Sequence, residues 1–468
     1  MINEFVSLVN NILWGDGQVL IIMLLACGIW FTVKLGGVQL RHFGHMFSLL
    51  KGSNTSTKDG ISSFQALCTS LSARVGTGNL AGVAVAISLG GAGAIFWMWM
   101  IALLGMATGF AESVLGQLYK VRDENGEFRG GPAYYIKQGL NKTWLAVAFS
   151  LCLFFGYGFV FSAVQANTIT DALNNAYSFP SEYVGLAIIA LAALIVIGGL
   201  RGIARFAEFV VPFMGIGYVL VALAITFINI SELPAMLLDI VKSAFGLQEA
   251  GAGALGAAIK NGIQRGLYSN EAGSGSVPHA AASAVPNPNH PVSQGYIQML
   301  GVFLDTLVLC TSTAFIILLA GGSSSDQMEG IRLTQDAMSS HLGEGGTDFV
   351  AAAISLFAFT SVVANYAYGE SNLHMFKLDN KIGRAVYTIG YLGMIYWGAQ
   401  AALPQVWAMA DMALGLMTVI NIIAIVWMTP TIVSISKDYF KKKDSGANME
   451  YKAGDCEIQG KSEDGIWD

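Results

Sequence analysis

The chain has 468 residues, of which 54% are hydrophobic and only 12% are charged, and its formal net charge is −6. A soluble protein carries about twice that charged fraction. The composition therefore excludes an ordinary soluble protein and indicates an all-α, polytopic membrane protein. Nothing in the composition supports nucleic-acid binding.

Eleven apolar stretches are long enough to cross a bilayer as transmembrane helices, which takes about 17 to 25 residues each. In chain order they lie at 18–40, 61–88, 92–119, 143–170, 183–200, 206–230, 250–285, 293–321, 347–373, 384–402 and 404–433. The residues before the first stretch lack a basic region and a cleavage site, so we expect that stretch to remain as a helix. The polar residues from Lys437 to Asp468 are expected to be disordered.

Ten spans remain when the first is set aside, and they divide into five at 61–230 and five at 250–433. Each group of five opens with the least hydrophobic of its stretches. An inverted repeat requires an odd number of helices in each half, and five satisfies that condition. We therefore expect an extra N-terminal helix and cytoplasmic loop at 1–60, two five-helix repeats, and a polar cytoplasmic tail at 434–468.

The opening stretches of the two repeats are interrupted by glycine and polar residues: SARVGTGNLAG at 72–82 and SNEAGSGSVP at 269–278. In a membrane, an unpaired backbone N–H or C=O group costs several kcal/mol. Glycines that only allow close helix packing need no clustered Asn, Ser and Glu beside them. Two such breaks at corresponding positions are typical of the midplane binding site of a secondary transporter.

Each break exposes two kinds of backbone group. The N–H groups of a new helix start attract a carboxylate, whereas the carbonyls of a helix end attract a cation. In the first break the N–H groups belong to Thr77, Gly78 and Asn79, and the carbonyls lie near Ser72, Arg74 and Val75. In the second, carbonyls near Tyr268 and Ser269 are candidates to hold a substrate ammonium, and Gly273 lies within the break.

Several polar side chains at membrane depth are candidates for the same site. Glu271 must be paired, solvated or protonated there, and Arg74 is the partner to test; for both we expect a structural or gating role. Asp305 is a further candidate for an ion or gating network. Gln165 and Asn167 are amides that face either the substrate or a neighbouring helix, and of the two we expect Gln165 to contact the substrate.

Four motifs carry a resemblance to a known family: GTGNLAG, RGLYSNEAGSGSVPHAAASA at 265–284, GVFLDTLVLCTSTAFIIL at 301–318 and FAFTSVVANYAYGE at 357–370. They resemble the alanine or glycine:cation symporter family over nearly all of the chain through about residue 433. The resemblance implies a leucine-transporter-type fold with ten core helices. It also implies cotransport of Na⁺, sometimes H⁺, with a small amino acid.

Alignment with that fold through GTGN implies a Na⁺ site. It places the carbonyls of Ser72 and Val75 beside a helix that carries Thr360 and Ser361, and carbonyl and hydroxyl oxygens suit this ion. The alternative for the two hydroxyls is a bond to a preceding carbonyl of their own helix. Three aromatic residues are expected to limit the size of the substrate: Phe161, Tyr268 and Phe359.

The expected function is Na⁺-coupled uptake of alanine or glycine by alternating access across the cell membrane. A proton-coupled symporter that uses Glu271 is an alternative, and an uncoupled ion channel is another. An enzyme with Glu271 as acid or base lacks a paired nucleophile. Motifs for ATP binding, metalloproteases and serine hydrolases are absent from the sequence. Na⁺ is the only cofactor expected, and nothing indicates an obligate protein partner.

Lysine and arginine divide unequally between alternate loops. Nineteen lie in one set, formed by the loops near 41–58, 120–142, 201–205 and 377–384 and by the tail, whereas the other set holds only Lys242 and Arg332. By the positive-inside rule the first set is cytoplasmic. With eleven spans the N-terminus is then outside, and the loop at 322–346 is a candidate external lid.

Single-cysteine labelling tests this orientation. A cysteine placed at Ser324 is expected to react with an impermeant reagent added outside, and one placed in the 120–142 loop only with reagent added to the cytoplasmic side. Labelling of Ser324→Cys only from the cytoplasmic side would show that the whole orientation is reversed.

Overall fold

The structure is a computed structural model that describes residues 2–15, 18–53, 60–123, 126–196, 199–247, 252–321 and 330–467. Most of these residues are helical. The α-helices are α1 (Ile2–Trp14), α2 (Val19–Lys34), α3 (Val38–Arg41), α4 (Phe43–Leu50), α5 (Ser63–Arg74), α6 (Val83–Gly90), α7 (Gly93–Leu118), α8 (Pro132–Gly139), α9 (Thr143–Phe155), α10 (Phe161–Tyr177), α11 (Ser181–Val196), α12 (Gly199–Ile228), α13 (Leu233–Ala244), α14 (Ala252–Asn270), α15 (Val277–Ala282), α16 (Pro291–Val302), α17 (Thr311–Leu319), α18 (Ile331–Leu342), α19 (Gly345–Met375), α20 (Lys381–Gln400), α21 (Leu403–Trp427) and α22 (Thr429–Ser445).

Within the described ranges, three π-helical segments interrupt the longer helices: π1 (Gly78–Gly82), π2 (Gly156–Val160) and π3 (Phe303–Cys310). Such segments are rare and are frequent at functional sites. Here π1 follows the first break, π2 carries Tyr157 and π3 carries Asp305. All three therefore coincide with the part of the chain in which the sequence predicts a site.

Six spans in the described residues are long and apolar enough to cross a membrane: α7, α9–π2–α10, α12, α16–π3–α17, α19 and α21. The α1–α2 pair, counted as one, makes a seventh. Each overlaps a predicted span, so the all-α polytopic prediction is confirmed. The other four predicted spans overlap α5–π1–α6, α11, α14–α15 and α20, and the total of eleven remains a prediction.

Both predicted helix breaks are present. After α5 ends, Val75 has extended backbone (φ −78°, ψ 91°), and π1 then leads into α6. After α14 ends, Glu271, Gly273 and Gly275 have positive φ angles of 58°, 93° and 84°, and α15 follows. Three of five successive residues have left-handed backbone. This prevents the right-handed helix from continuing, because the N–H and C=O groups beside such residues no longer point along the helix axis.

A short parallel strand pair joins the outer ends of the two broken helices. Strand β1 (Ile61–Ser62) directly precedes α5 and pairs with β4 (Ala284–Val285), which follows α15. Ser62 also caps α5, since its hydroxyl accepts the N–H of Gln65 at 3.1 Å and the side-chain oxygen of Gln65 accepts the N–H of Ser62 at 3.1 Å. Both broken helices are thus anchored to each other at one end. Strands β2 (Val121–Arg122) and β3 (Phe128–Arg129) form a separate antiparallel hairpin.

Helix α7 packs along the second broken helix, α14 and α15, and along α16 and α2. Glycines on α7 allow this close approach: a Cβ added at Gly116 would lie 2.7 Å from the Cβ of Pro278 on α15. The consequence is that the polar residue Glu112, on the same helix, lies directly against the second break.

The expected disorder of the tail is wrong for residues 437–467. Helix α22 continues to Ser445, and Trp467 is buried with its indole N–H donating to the carbonyl of Leu118 at 3.1 Å. Aromatic residues in a mostly polar segment supplied apolar surface that composition alone did not reveal. In the predicted external loop, residues 322–329, including the labelling position, lie outside the described residues, and 331–342 form α18.

Candidate functional site

Oxygen atoms converge at the end of α5. The Ser361 hydroxyl, on α19, lies 2.9 Å from the carbonyl oxygen of Ser72 and 3.4 Å from that of Val75. All three residues are buried. Carbonyls in the last turn of a helix have no partner within it, so they are free to bind a hydroxyl or an ion. The structure thus brings together three of the four predicted Na⁺ ligands.

The fourth predicted ligand, the Thr360 hydroxyl, is not part of this cluster. It donates to the carbonyl of Phe357 at 2.8 Å and lies 4.0 Å from the sulfur of Met214. The backbone of Thr360 does reach the cluster, because its carbonyl accepts the Ser72 hydroxyl at 3.1 Å. Successive residues on a helix are rotated by about 100°, which explains why Ser361 faces α5 and the Thr360 side chain does not.

Gln165, on α10, occupies the N–H end of the first break. Its side-chain oxygen accepts the backbone N–H of Thr77 at 2.9 Å and the Thr77 hydroxyl at 2.8 Å. A Cβ at Gly76 would lie 2.6 Å from the same oxygen, so glycine is needed for this approach. The Gln165 oxygen stands where a carboxylate oxygen of a ligand would be expected.

Asn79 joins the two broken helices rather than exposing its groups to a ligand. Its backbone N–H donates to the carbonyl of Gly76 at 3.2 Å. Its side-chain NH₂ donates to Asp305 at 2.7 Å and to the Ser269 hydroxyl at 3.1 Å, and Ser269 donates to Asp305 at 2.6 Å. Asp305, on π3, is therefore the acceptor that connects both breaks, which extends its predicted role in an ion or gating network.

Between these groups lies a small buried cavity. Its lining residues come from five α-helices, from π2 and from the second break: Ala73, Arg74, Tyr157, Phe161, Gln165, Tyr268, Glu271, Asn365 and Leu414. The cavity volume is about 10 Å³, which is about enough for one water molecule. An amino acid can occupy this position only when lining side chains such as Gln165 move apart.

Arg74 and Glu271 line the same cavity, so the proximity that the sequence left open is present. Among the described residues no ion pair joins them. Arg74 donates from Nη1 to the carbonyl of Gln298 at 3.5 Å, while its Nε and Nη2 have no hydrogen-bond partner within the described chain. Glu271 accepts the Ser276 hydroxyl at 2.6 Å. Neither side chain is bound by the other, so both can form hydrogen bonds or ion pairs with a ligand or an ion in the cavity.

The second break is held by Glu112. This buried carboxylate accepts the N–H groups of Gly273 at 3.1 Å and Gly275 at 3.2 Å, together with the amide of Asn421 at 2.8 Å. The Asn421 amide also donates to the carbonyl of Gly273 at 3.0 Å. Gly273 is therefore engaged by the protein on both its N–H and its C=O, which corrects its assignment as a substrate-binding residue.

Aromatic rings close the cavity on one side. Tyr268 packs against Phe161 with ring centroids 6.0 Å apart and against Trp407 at 4.8 Å. Beyond them Arg265 pairs with Asp411 at 2.6 Å, and its guanidinium lies 4.4 Å from the Trp407 ring. These side chains separate the small cavity from a much wider one of about 1350 Å³ lined by α1, α14 and α21.

Phe359 lies elsewhere. Its ring contacts Phe206 at 6.0 Å, and it lines an apolar groove with Ile169, Leu173 and other residues of α10, α11 and α19. Ser361 is two positions further along α19, a rotation of about 200°, so the two side chains point to nearly opposite sides. The expectation that Phe359 limits the substrate pocket is corrected accordingly. Asn167 donates to the carbonyls of Gly398 and Ala401, the interhelical alternative.

Comparison with known proteins assigns the chain. A profile of the sodium:alanine symporter family matches residues 1–453. A probable sodium/glutamine symporter of Bacillus subtilis is 46% identical over 95% of this chain and 92% of the relative. A sodium/alanine symporter of Methanococcus maripaludis is 37% identical over 93% of this chain and 97% of the relative. The chain belongs to the sodium:alanine symporter family.

Membership of the sodium:alanine symporter family makes the protein a multi-pass membrane transporter and not an enzyme. The resemblance in the sequence motifs is confirmed at the level of the family. Another relative, a putative sodium/proton-dependent alanine carrier of Bacillus subtilis, is 40% identical over 95% of this chain and 93% of the relative. The leucine-transporter-type fold stays a prediction.

The contact that sequence reasoning missed is the one between Glu112 and the second break. From the sequence alone, a helix-end or interhelical pair is the expected role of the Glu112 carboxylate, as it is for Asp411. A buried carboxylate within a glycine-rich apolar span is costly and needs several donors. The second break supplies them, and that complementarity was a usable signal in the sequence.

Replacement of Glu112 is expected to weaken the fold. Glu112→Ala leaves two backbone N–H groups and the Asn421 amide without their acceptor, and each such buried group costs about 1–3 kcal/mol. Glu112→Gln keeps one acceptor oxygen and should lose less. Melting temperatures in detergent measure the effect, with Glu182→Gln on the exposed face of α11 as control. An unchanged melting temperature for Glu112→Ala would mean that the carboxylate does not hold the break.

Proposed function

We propose that this protein is a Na⁺-driven symporter of small neutral amino acids, chiefly alanine and glycine, that works by alternating access in the cell membrane. The observation that carries the proposal is the meeting of the Ser361 hydroxyl with the carbonyls of Ser72 and Val75. Family membership and the names of its relatives support sodium coupling and an amino acid substrate.

The Na⁺ site of this proposal consists of oxygens alone. The carbonyls of Ser72 and Val75 carry the negative end of the α5 dipole, and the Ser361 hydroxyl adds a lone pair once it rotates away from them. Neutral oxygen ligands hold Na⁺ weakly enough for release during each cycle. Because Ser361 belongs to the proposed second repeat and Ser72 to the first, a bound ion would join the two halves of the protein.

The amino acid would bind as a zwitterion between the two breaks. Its carboxylate takes the position of the Gln165 oxygen at the N–H groups of Thr77 and Gly78. Its ammonium binds the carbonyls in the last turn of α14, near Tyr268 and Ser269, which have no helical partner. Displacement of Gln165 by the substrate exchanges one set of hydrogen bonds for another, so little energy is lost in opening the site.

Alternating access then depends on whether ion and substrate occupy the cavity between the breaks. When ion and substrate fill the cavity, the halves at 61–230 and 250–433 are free to rock around it. We propose the orientation that the lysine and arginine distribution predicts, with the N-terminus outside and the C-terminus in the cytoplasm. In that orientation the Arg265–Asp411 pair and Trp407 lie on the external side of the cavity.

A proton-coupled symporter is the second candidate. The observation that favours it is the buried Glu271 carboxylate at the cavity, with the Ser276 hydroxyl 2.6 Å away as its hydrogen-bond donor. One relative is named a putative sodium/proton-dependent alanine carrier. A carboxylate at membrane depth is a common proton carrier in transporters.

Uptake into proteoliposomes distinguishes these functions. We expect labelled alanine to accumulate against its gradient when Na⁺ is higher outside, and not with an equal K⁺ gradient. Accumulation driven by a proton gradient without Na⁺ would favour the second candidate. Passage of alanine or ions down their gradients without any coupling would indicate a channel and contradict both proposals.

Ser361→Ala should raise the Na⁺ concentration needed for half-maximal alanine uptake by about tenfold, which corresponds to about 1.4 kcal/mol of lost ion binding. The alanine KM at saturating Na⁺ should change much less, since in the proposed site the hydroxyl is a ligand of the ion and not of the amino acid. Thr360→Ala is the matched control, because both hydroxyls can bond the carbonyl of Phe357 in their own helix, whereas the Ser361 hydroxyl also reaches the carbonyls of Ser72 and Val75. An equal effect of both changes would contradict the proposed Na⁺ site.

Competition against labelled alanine tests the substrate size. Glycine should compete effectively, because an apolar pocket loses only about 1–3 kcal/mol when a methyl group is missing. Leucine should not, because the packed rings of Phe161 and Tyr268 close one side of the cavity and leave no room for its longer side chain. Glutamine, named for one relative, is the informative third competitor. Competition by glutamine or leucine as strong as that by glycine would overturn the assignment to small substrates.

A further inference from the structure

A surface outside the candidate transport site lies where the chain leaves α2 and passes through α3 and α4. Helix α4 packs against α16 and buries Met46 and Leu49. Other side chains of the same turns are exposed, and Lys443 of α22 lies near them. The α4–α22 surface, as we call it, consists of Leu40, Arg41, Phe43, Phe47 and Lys443.

One side of the α4–α22 surface is apolar. Phe43 and Phe47 are 38% and 39% exposed, and their ring centroids lie 5.1 Å and 6.4 Å from that of Phe303. Phe303 is the first residue of π3, within the α16–π3–α17 span. Leu40, in α3, is 71% exposed. Exposed aromatic and aliphatic side chains beside a membrane span are typical of a helix at the boundary between acyl chains and lipid headgroups.

The other side of the surface is positively charged. Arg41 is exposed and Lys443 is partly exposed, and neither forms an ion pair with any residue that the structure describes. Burial, Lys443 and Arg41, in decreasing order of effect, lower the pKa of the His42 imidazole. Because the effect of a charge falls off with distance, both cations lie near His42.

Acidic side chains in this region cancel only part of the charge. Asp438 and Asp455 both pair with Lys442, at 2.8 Å and 2.6 Å. Asp444 is exposed and forms no ion pair with a described residue, and its effect on the pKa of His42 is smaller than that of either cation. Two cations against one carboxylate leave the surface beside His42 with a net positive charge.

Hydrogen bonds and ring contacts hold α4 in this position. His42 bonds the Tyr296 hydroxyl of α16, and its ring centroid lies 4.9 Å from that of Phe440 on α22. The Nε2 atom of His45 lies 2.9 Å from the hydroxyl of Tyr439, also on α22. The cations are thus carried by elements that are fixed against one another, and a preorganised site loses less entropy when it binds a ligand.

We propose that the α4–α22 surface binds one anionic phospholipid, with its phosphate at Arg41 and Lys443 and an acyl chain along Phe43 and Phe47. Guanidinium and ammonium groups are common protein ligands of phosphate. A zwitterionic lipid carries its own cation beside the phosphate, which a positive surface repels, so the charge of the surface favours the anionic lipid. This site is separate from the transport cavity, and lipid binding there does not depend on the proposed transport function.

The first experiment measures the binding of phosphatidylglycerol to the purified protein in detergent, through the rise in melting temperature that binding causes. Arg41→Gln/Lys443→Gln should raise the lipid concentration at the midpoint of that rise about tenfold, which corresponds to about 1.4 kcal/mol. Lys137→Gln/Lys381→Gln is the matched control, since it removes two exposed lysine charges on α8 and α20 and should leave the midpoint unchanged. Equal midpoints for the two double variants would overturn the proposal.

Two further ligands separate the headgroup from the acyl chains. With phosphatidylcholine, the native protein and Arg41→Gln/Lys443→Gln should have the same midpoint, because this lipid has no net charge. Glycerol phosphate carries the charge without the chains and should cause no rise in melting temperature at the same concentration. A tenfold difference with phosphatidylcholine would contradict selection by charge, and a rise with glycerol phosphate as large as that with phosphatidylglycerol would contradict the lipid site.

Native mass spectrometry gives a second measurement, which does not depend on melting. Protein equilibrated with equal amounts of phosphatidylglycerol and phosphatidylcholine should retain phosphatidylglycerol, and Arg41→Gln/Lys443→Gln should lose it. Arg41→Lys/Lys443→Arg keeps both charges and should retain the lipid, which excludes misfolding as the cause of the loss. Retention of both lipids equally by the native protein, or loss of phosphatidylglycerol from the charge-conserving variant as well, would overturn the site.

Discussion

The structure depends on one constraint: in a membrane interior with little water, every backbone group freed by a helix break needs another partner. The two breaks free N–H and C=O groups in the middle of the protein, and side chains on neighbouring helices bind them. Gln165 binds the first break, Glu112 the second, and Asp305 accepts bonds from both broken helices. The position of α7, α10 and π3 around the centre follows from these contacts.

The two breaks differ in how firmly their partners hold them. At the second break, Glu112 is buried, accepts three bonds and is braced by Asn421, which itself accepts the hydroxyl of Tyr135. A carboxylate so engaged is expensive to displace. At the first break the partner is the neutral amide of Gln165, beside a cavity that it partly fills. The first break is therefore the one whose partner a ligand can replace, while the second is a structural brace.

The buried charged side chains near the two cavities also differ, because one set is paired and the other is not. Arg265 and Asp411 form a direct pair beside the wide cavity, so each satisfies the other. Arg74 and Glu271 line the small cavity without forming such a pair, and two nitrogens of Arg74 have no partner within the described residues. Buried groups left in this state are costly. A charged ligand that binds at the centre would pair these groups and so remove much of that free-energy cost.

The sequence by itself determined the membrane class, the position of the long apolar spans and both helix breaks, because hydrophobic length and glycine clustering are properties of local sequence. It also singled out Gln165, Ser361, Glu271 and Asp305. Eleven spans, the two five-helix repeats and the orientation stay predictions.

Only the tertiary structure decided which of these groups face each other. Ser361 faces α5 while Thr360 and Phe359 do not, because each step along α19 turns the side chain by about 100°, and no local pattern reports how a helix is rotated against its neighbours. Likewise Glu112 could be assigned to Gly273 and Gly275 only once α7 lay against α14. The ordered tail at 437–467, too, depends on a surface that α7 and the loop before α16 form only after folding.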